Sequence, residues 1–327
     1  MNLQKWHGLG NDYLFLDARS GVPARPAALA RVLADRRRGP GGDGLILLEP
    51  STRPDADCRL SIRNADGSDG GVCGNGLRCL AAWVIADDLV PIADRIDRAA
   101  DRLRIEIASG PSISTVDGRD AAAGRWSVTV DLPGPDFDPA AVPATPFVDP
   151  PAGPVLDALV PELVAAANAA LAADRAAVPD DVRWSIVSTG NPHLVARFAS
   201  SPDLDAVDLA VVGAALERDP HFPDRINVHV VVDGRTGPIP MRTWERGSGL
   251  TQACGTGACA VVTAMVAAGR RPGGEPVTVR LPGGELSIAW SGHPADAIRM
   301  TGEAERVARI EIDDRWIDRM VAADRDD

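Results

Sequence analysis

Two short stretches hold the residues best suited to chemistry. Gly71-Val72-Cys73-Gly74-Asn75-Gly76-Leu77-Arg78-Cys79 and Thr251-Gln252-Ala253-Cys254-Gly255-Thr256-Gly257-Ala258-Cys259 share one pattern: a cysteine, a glycine, a small polar residue, a glycine, then an apolar run. A glycine-rich turn that ends at a helix start presents unpaired backbone N–H groups and the positive end of the helix dipole. A cysteine in that place has a lowered pKa and holds a thiolate near neutral pH. The same N–H groups make an anion site suited to a carboxylate, and glycine at 74, 76, 255 and 257 lets the backbone approach a ligand closely. Two matched copies in distant halves predict that Cys73 and Cys254 face one substrate from opposite sides. One thiolate would remove an α-proton and the other sulfur, as a thiol, would return one to the opposite face. Two nearby thiols titrate as a coupled pair, so one is charged while the other is neutral.

Other readings of the cysteines fit less well. Cys58, Cys79 and Cys259 sit in apolar runs and read as small buried hydrophobes. The spacings 73/79 and 254/259 miss the i, i+4 interval that puts two metal ligands on one helix face, so no metal is expected. Neither cysteine is followed six positions later by the arginine of a cysteine-dependent phosphatase; those positions hold Cys79 and Ala260. A GxxxxGK[ST] phosphate loop is missing, GxGxxG spacing is met at neither cysteine, and no cofactor is expected.

The elements that position these residues follow from hydrophobic periodicity. Strands are predicted at 3–6, 13–17, 45–48, 58–63, 103–109 and 126–132, with a helix over 26–37 ending in the cations Arg36-Arg37-Arg38, which suit the C-terminal end of a helix dipole. The second half repeats the plan, with strands at 185–188, 194–198, 226–232, 241–245, 276–281, 285–290 and 297–301 and a short helix at 208–218. Residues 77–89 and 258–267 are apolar nearly all round and read as buried helices, each beginning just after a cysteine. The predicted fold is therefore α+β: two pseudo-symmetric halves, each a mixed or antiparallel sheet wrapped around a central buried helix. The halves are placed at 1–133, with 306–327 returning to it, and 134–305. Residues 134–182, rich in Pro, Ala and Asp, read as a partly mobile insertion in which 162–175 can form a helix with Leu163, Val164, Ala167 and Leu171 on one face.

Bulk properties narrow the class. At 327 residues the chain can bury a large core, and a formal charge of −12 disfavours nucleic acid and anionic membrane surfaces as partners. Five cysteines in a chain this long are no disulfide framework, the N-terminus has no signal-peptide core, and no uncharged run reaches spanning length. A soluble protein of a reducing cytoplasm is expected.

In order along the chain, His7-Gly8-Leu9-Gly10-Asn11-Asp12, Asn64-Ala65-Asp66-Gly67-Ser68, Cys73-Gly74-Asn75-Gly76, Gly190-Asn191-Pro192-His193, Arg225-Ile226-Asn227-Val228, Trp244-Glu245-Arg246-Gly247 and Ala253-Cys254-Gly255-Thr256-Gly257 resemble the diaminopimelate epimerase family, end to end apart from 134–182. The resemblance implies a cofactor-independent enzyme that interconverts LL- and meso-diaminopimelate in lysine and peptidoglycan precursor synthesis, with a homodimer as its assembly. It casts Cys73 and Cys254 as the acid/base pair, and Gly74, Asn75, Gly255 and Thr256 as the cradle of the reacting carboxylate. Glu245 and Arg246 would meet ammonium and carboxylate groups, Asn11, Asn64, Asn191 and Asn227 would fix the substrate, and His193 matches a histidine of that site. An asparagine offers both a donor and an acceptor, and an arginine fork suits a carboxylate, as a doubly zwitterionic substrate requires. Three positions depart from the family: Gly44, where some members carry glutamine, Leu250, where glutamate is usual, and Glu303, where proline is usual. The competing readings are a proline or hydroxyproline racemase of the same two-cysteine design, a phenazine-type isomerase, which lacks the cysteine pair, and a non-catalytic amino-acid-binding or thiol-redox protein.

Overall fold

The computed structural model describes residues 1–71, 73–90, 101–108, 110–144, 154–172, 175–198, 204–232 and 236–324. The chain divides into two compact units, Met1–Asp131 with Thr301–Asp327, and Leu132–Met300. The first stretch forms β1 (Asn2–Gly8), β2 (Asn11–Asp17), α1 (Pro26–Ala34), β3 (Gly44–Glu49), β4 (Cys58–Asn64), α2 (Gly74–Ala86), β5 (Arg102–Ile107), β6 (Gly110–Asp120) and β7 (Arg125–Leu132). The second unit adds α3 (Pro161–Ala170), β8 (Arg183–Ser188), β9 (Pro192–Phe198), α4 (Leu209–Glu217), β10 (Asn227–Val232), β11 (Ile239–Glu245), β12 (Gly249–Thr251), α5 (Gly255–Ala267), β13 (Val277–Leu281) and β14 (Gly284–Ala289). The chain ends in β15 (Ile298–Glu311) and α6 (Asp314–Ala323).

In the first unit the strands run in the order β1-β2-β3-β4-β5-β6-β7-β15, and β15 pairs back onto β1, closing an eight-stranded ring. Closure removes the exposed strand edges that an open sheet would have. Helix α2 packs on β1, β2 and β6 and is buried from Gly74 to Val84. In the second unit the order is β14-β13-β11-β10-β9-β8, with β12 on β11, and α5 packs on β8, β9, β10, β13 and β14. Parallel pairs need a crossover. Among the described residues each unit has two, and a helix lies in the connection of each: α1 between β2 and β3, α2 between β4 and β5, α4 between β9 and β10, α5 between β11 and β13. In both units the second crossover helix is the buried one, so the crossovers themselves wrap sheet around helix.

Several boundaries differ from the sequence reading. Helix α1 stops at Ala34, short of the arginines, because Asp35 Oδ1 accepts the backbone N–H of Arg37 and Arg38 and so competes with helix continuation. Arg36 therefore serves no helix dipole; its guanidinium binds Asp12 and Asp43. Strand β6 fills the gap between two predicted strands, its alternation broken by a bulge between Val116 and Gly118. The last predicted strand is fourteen residues long, because β15 continues through Gly302 and pairs with β1. Helix α6, amphipathic and N-capped by the Asp313 carboxylate, buries Ile317 against α1 and β3.

The 134–182 segment, read as a partly mobile insertion, contributes to the core. Val142, Val160, Leu163, Val164, Ala167, Val178 and Val182 are buried with Trp184, Leu194, Leu209 and Val228, and Leu171 packs against them. The side chain of Asn168 closes the segment on itself, donating to Val178 O at 3.0 Å and accepting from Val178 N at 2.7 Å. Residues 145–153 and 173–174 of this segment lie outside the described residues. Replacing the fully buried Leu163 with Ala should lower the stability of the second unit by about 2–5 kcal/mol in urea titration; a cost below about 1 kcal/mol would show that α3 is not part of that core.

Candidate active site

Cys73 and Cys254 are the N-cap residues of α2 and α5, with almost the same backbone: φ −126°, ψ 110° for Cys73 and φ −124°, ψ 105° for Cys254. Each sulfur accepts the backbone N–H of the third helical residue at 3.4 Å, from Gly76 in one unit and Gly257 in the other. This is an N-cap hydrogen bond with sulfur in the usual place of oxygen, and an N–H aimed at sulfur stabilises negative charge on it. Glycine is required at these positions by space. A Cβ on Gly76 would lie 2.6 Å from Ile46 Cδ1, and one on Gly257 would lie 2.4 Å from His229 Cε1 and 3.0 Å from Cys254 Sγ. Asn75 and Thr256, Gly74 and Gly255 fall within the two first turns and are buried. Thr256 Oγ1 lies 3.7 Å from Cys254 Sγ, and its carbonyl oxygen accepts from Thr189 Oγ1 at 3.2 Å. By contrast, burial pushes the Cys79 thiol up to about 12, which keeps it uncharged.

In the first unit a chain of side chains leads to Cys73. Buried Arg78 donates from Nη2 to Asn75 Oδ1 at 2.7 Å, Asn75 Nδ2 donates to Asn11 Oδ1 at 3.1 Å, and Asn11 Nδ2 donates to Asp43 Oδ2 at 2.7 Å. Arginine can only donate and a carboxylate only accepts, so the ends fix the direction of both amides. Cys73 Sγ lies 3.6 Å from Asn11 Oδ1. Asp43 and Asp12 share Arg36, and Lys5 sits 2.9 Å from Asp12. Burial raises the Asp12 carboxyl, but the bonds from Arg36 and Lys5 outweigh it and hold it below the usual carboxylate range. Asn64 is tied to its own turn, donating to Ser68 Oγ at 3.0 Å. The structure thus joins Asn11, Asn75 and Cys73 and leaves Asn64 outside that chain. Gly44 has no room for a side chain, since a Cβ would lie 2.3 Å from Arg63 O.

The second unit gathers Asn191, His193, Asn227, Glu245 and Arg246 around β9, β10 and β11. His193 is wholly buried, with Nε2 2.8 Å from Asn191 Oδ1 and Nδ1 2.8 Å from His229 Nε2; His229 Nδ1 lies 3.1 Å from Thr243 Oγ1. With both ring nitrogens engaged, His193 supports Asn191 from beneath. Asn227 joins the β9 and β11 ends, donating to Pro192 O at 2.8 Å and accepting from Arg246 N at 3.0 Å. Glu245 Oε1 accepts from Thr251 Oγ1, and Arg246 Nη1 donates to Asp224 O. Leu250 is 49% exposed on β12, beside the threonine that makes the contact to Glu245. Sequence reasoning missed Arg78, His229 and Glu217. The signal was present for the first two, each a charged or polar residue inside an otherwise apolar element.

The model of the diaminopimelate epimerase family matches residues 3–131 and 185–307. The chain belongs to the diaminopimelate epimerase family. It is 39% identical over 307 residues to a diaminopimelate epimerase of Geobacillus kaustophilus, covering 93% of each chain, and 40% identical over 314 residues to one of Rhizorhabdus wittichii, covering 96% of each. Membership makes it an isomerase, an epimerase. Among solved structures, a hydroxyproline epimerase from Agrobacterium vitis has a TM-score of 0.63 at 16% identity, covering 95% of this chain and 90% of that one. A phenazine biosynthesis protein from Bacillus anthracis has a TM-score of 0.64 at 14% identity, covering 95% and 98%. Both show the shared fold. The stretch 132–184, which the family model skips, includes the core-forming helix α3.

The buried imidazoles carry a pH signature. Burial, with His229 and Arg246 adding to it, pushes His193 well below its ordinary value, and burial pushes His229 to about 3. Both are neutral when folded and return to about 6.5 when unfolded. Their contribution to stability is complete above about 6.5 and is lost as pH falls from there, for His229 toward about 3, because the unfolded chain binds protons that the folded chain does not. For His229 the loss at pH 5.5 is on the order of 1 kcal/mol. Urea unfolding at pH 7.5 and 5.5 should show a pH-dependent loss smaller by about that amount in His229→Gln than in wild type. Equal losses would mean that His229 takes up a proton in the folded state.

Proposed function

We propose that the chain interconverts LL-2,6-diaminopimelate and meso-diaminopimelate with Cys73 and Cys254 as the two bases, as a step toward lysine and peptidoglycan precursors. The observation that carries this reading is the matched pair of cysteine-capped helix starts, alike in backbone angles and in the N–H to sulfur bond. In one direction a thiolate takes the α-proton and the C–H bonding pair stays on the α-carbon as a carbanion conjugated with the carboxylate. The other cysteine, as a thiol, then delivers a proton to the opposite face. Each turnover exchanges the roles of the two sulfurs, so no electrons are gained or lost. Negative charge grows on the carboxylate in the transition state, and fixed helix N-termini are a preorganised source of stabilisation for it. Arg246 and Glu245 would read the carboxylate and ammonium groups, and Asn11, Asn64, Asn75, Asn191 and Asn227 would supply amide contacts, with His193 behind Asn191.

The substrate and the mechanism have separate tests. In deuterium oxide the protein should wash deuterium into the α-position of LL- and meso-diaminopimelate and leave proline unlabelled; exchange into proline alone would replace diaminopimelate with a cyclic imino acid as substrate. Cys73→Ala and Cys254→Ala should each lower kcat by about 10²–10⁴-fold, the usual worth of a positioned acid or base. Full activity in either variant would end the two-base mechanism.

A further inference from the structure

The carboxylate of Glu217, at the last position of α4, is only 3% exposed and has no part in the chemistry described above. Its Oε2 accepts from Trp244 Nε1 at 2.7 Å, and its Oε1 accepts from Gly247 N at 3.1 Å and from Arg225 Nη1 at 3.4 Å. Trp244 and Gly247 flank Glu245-Arg246 on either side. One turn back on the same helix face, Gly213 lets the helix approach Trp244, for a Cβ there would lie 2.5 Å from Trp244 Cβ and 2.6 Å from Cγ. Helix α4 thus commits two residues, one turn apart, to the segment that carries the charged pair. Asn227 Oδ1 accepts from Arg246 N, and Asp224 O accepts from Arg246 Nη1. We propose that Glu217 is a positioning residue for the reaction proposed above, fixing the segment from Trp244 to Gly247 so that Glu245 and Arg246 meet the substrate in one geometry. This rests on the reading that Glu245 and Arg246 bind the substrate.

The chemistry of the contact sets the test. Three donors converge on two acceptor oxygens; a glutamine in that place keeps one acceptor and turns an NH2 toward donors. Steady-state kinetics with diaminopimelate would compare wild type, Arg246→Met, Glu217→Gln, Glu217→Asp and Gly213→Ala, each checked for folding by circular dichroism. Arg246→Met and Glu217→Gln should each raise KM about tenfold or more, with kcat in Glu217→Gln within about threefold of wild type. Glu217→Asp, which keeps both oxygens, should fall between wild type and Glu217→Gln. A purely structural role would lower the melting temperature of Glu217→Gln and leave KM where it was. If Arg246→Met leaves KM unchanged, the reading of the charged pair fails. If Arg246→Met raises KM and folded Glu217→Gln does not, the role of Glu217 fails. Should Glu217→Gln not fold, Gly213→Ala decides: it keeps the carboxylate and displaces Trp244, so an unchanged KM in that variant overturns the proposal.

Discussion

Both units depend on one constraint, a cysteine that caps a buried helix through its sulfur. The cap needs an extended residue at the helix entry, a glycine three positions on, and a first turn with nothing bulky beside it. Cys73 and Cys254 meet the first condition within a few degrees of each other. Gly76 and Gly257 meet the second against quite different neighbours, an isoleucine methyl in one case and an imidazole in the other. The approaches to the two caps differ as well, Asp69-Gly70-Gly71 against Gln252-Ala253. What stays fixed is the backbone and the N–H to sulfur bond, while neighbours and flanks vary around it. Burial of the rest of the helix follows from the same constraint. The first turn of each helix gains precision when every other turn is locked in a sheet, and wrapping that sheet by parallel crossovers supplies the lock.

The two units support their caps with different polar chemistry. Around Cys73 the chain from Arg78 to Asp43 has a charged group at each end, one that can only donate and one that can only accept, so both amides have a single orientation. Burying a guanidinium costs several kcal/mol unless it is fully bonded, and Arg78 combines the Asn75 contact with a bond from Nε to Glu303 O. Beside α5 the chain Thr243-His229-His193-Asn191 is neutral throughout. The amide oxygen of Asn191 can only accept, so neutral His193 donates to it from Nε2 and accepts at Nδ1 from His229 Nε2, and His229 Nδ1 in turn accepts from the Thr243 hydroxyl. Charged ends fix the direction of one chain, and an amide oxygen at the end of two neutral rings fixes the direction of the other.

How much of this was legible follows from where the information sits. Cysteine, glycine and apolar runs are local patterns, and the two caps, the two buried helices and most strands could be read from them. The end of α1 could not, because its signal is one aspartate turning its carboxylate onto the next two amides, in competition with a helical pattern that continues past it. The length of β15 is set by β1, about three hundred residues earlier in the chain, and no local pattern carries that. The core role of 142–182 was hidden by composition: a Pro- and Ala-rich stretch reads as loose, while its few valines and leucines are spaced to land on one cluster.

His193 shows why motif matching places a residue near a site more readily than it assigns the residue a task. Its position in Gly190-Asn191-Pro192-His193 puts it at the start of β9, where side chains alternate between faces. Asn191 lies before the strand and is partly exposed, whereas His193 points inward and has both nitrogens bonded. The same division recurs at β10 and α4. Asn227 ties Pro192 to Arg246 through its amide, and Glu217 spends its carboxylate on Trp244 and Gly247. Charged and amide groups set close together compete with one another for partners unless each is held apart. A layer of buried acceptors and donors behind them does that holding: His193 behind Asn191, and Glu217 behind the segment from Trp244 to Gly247.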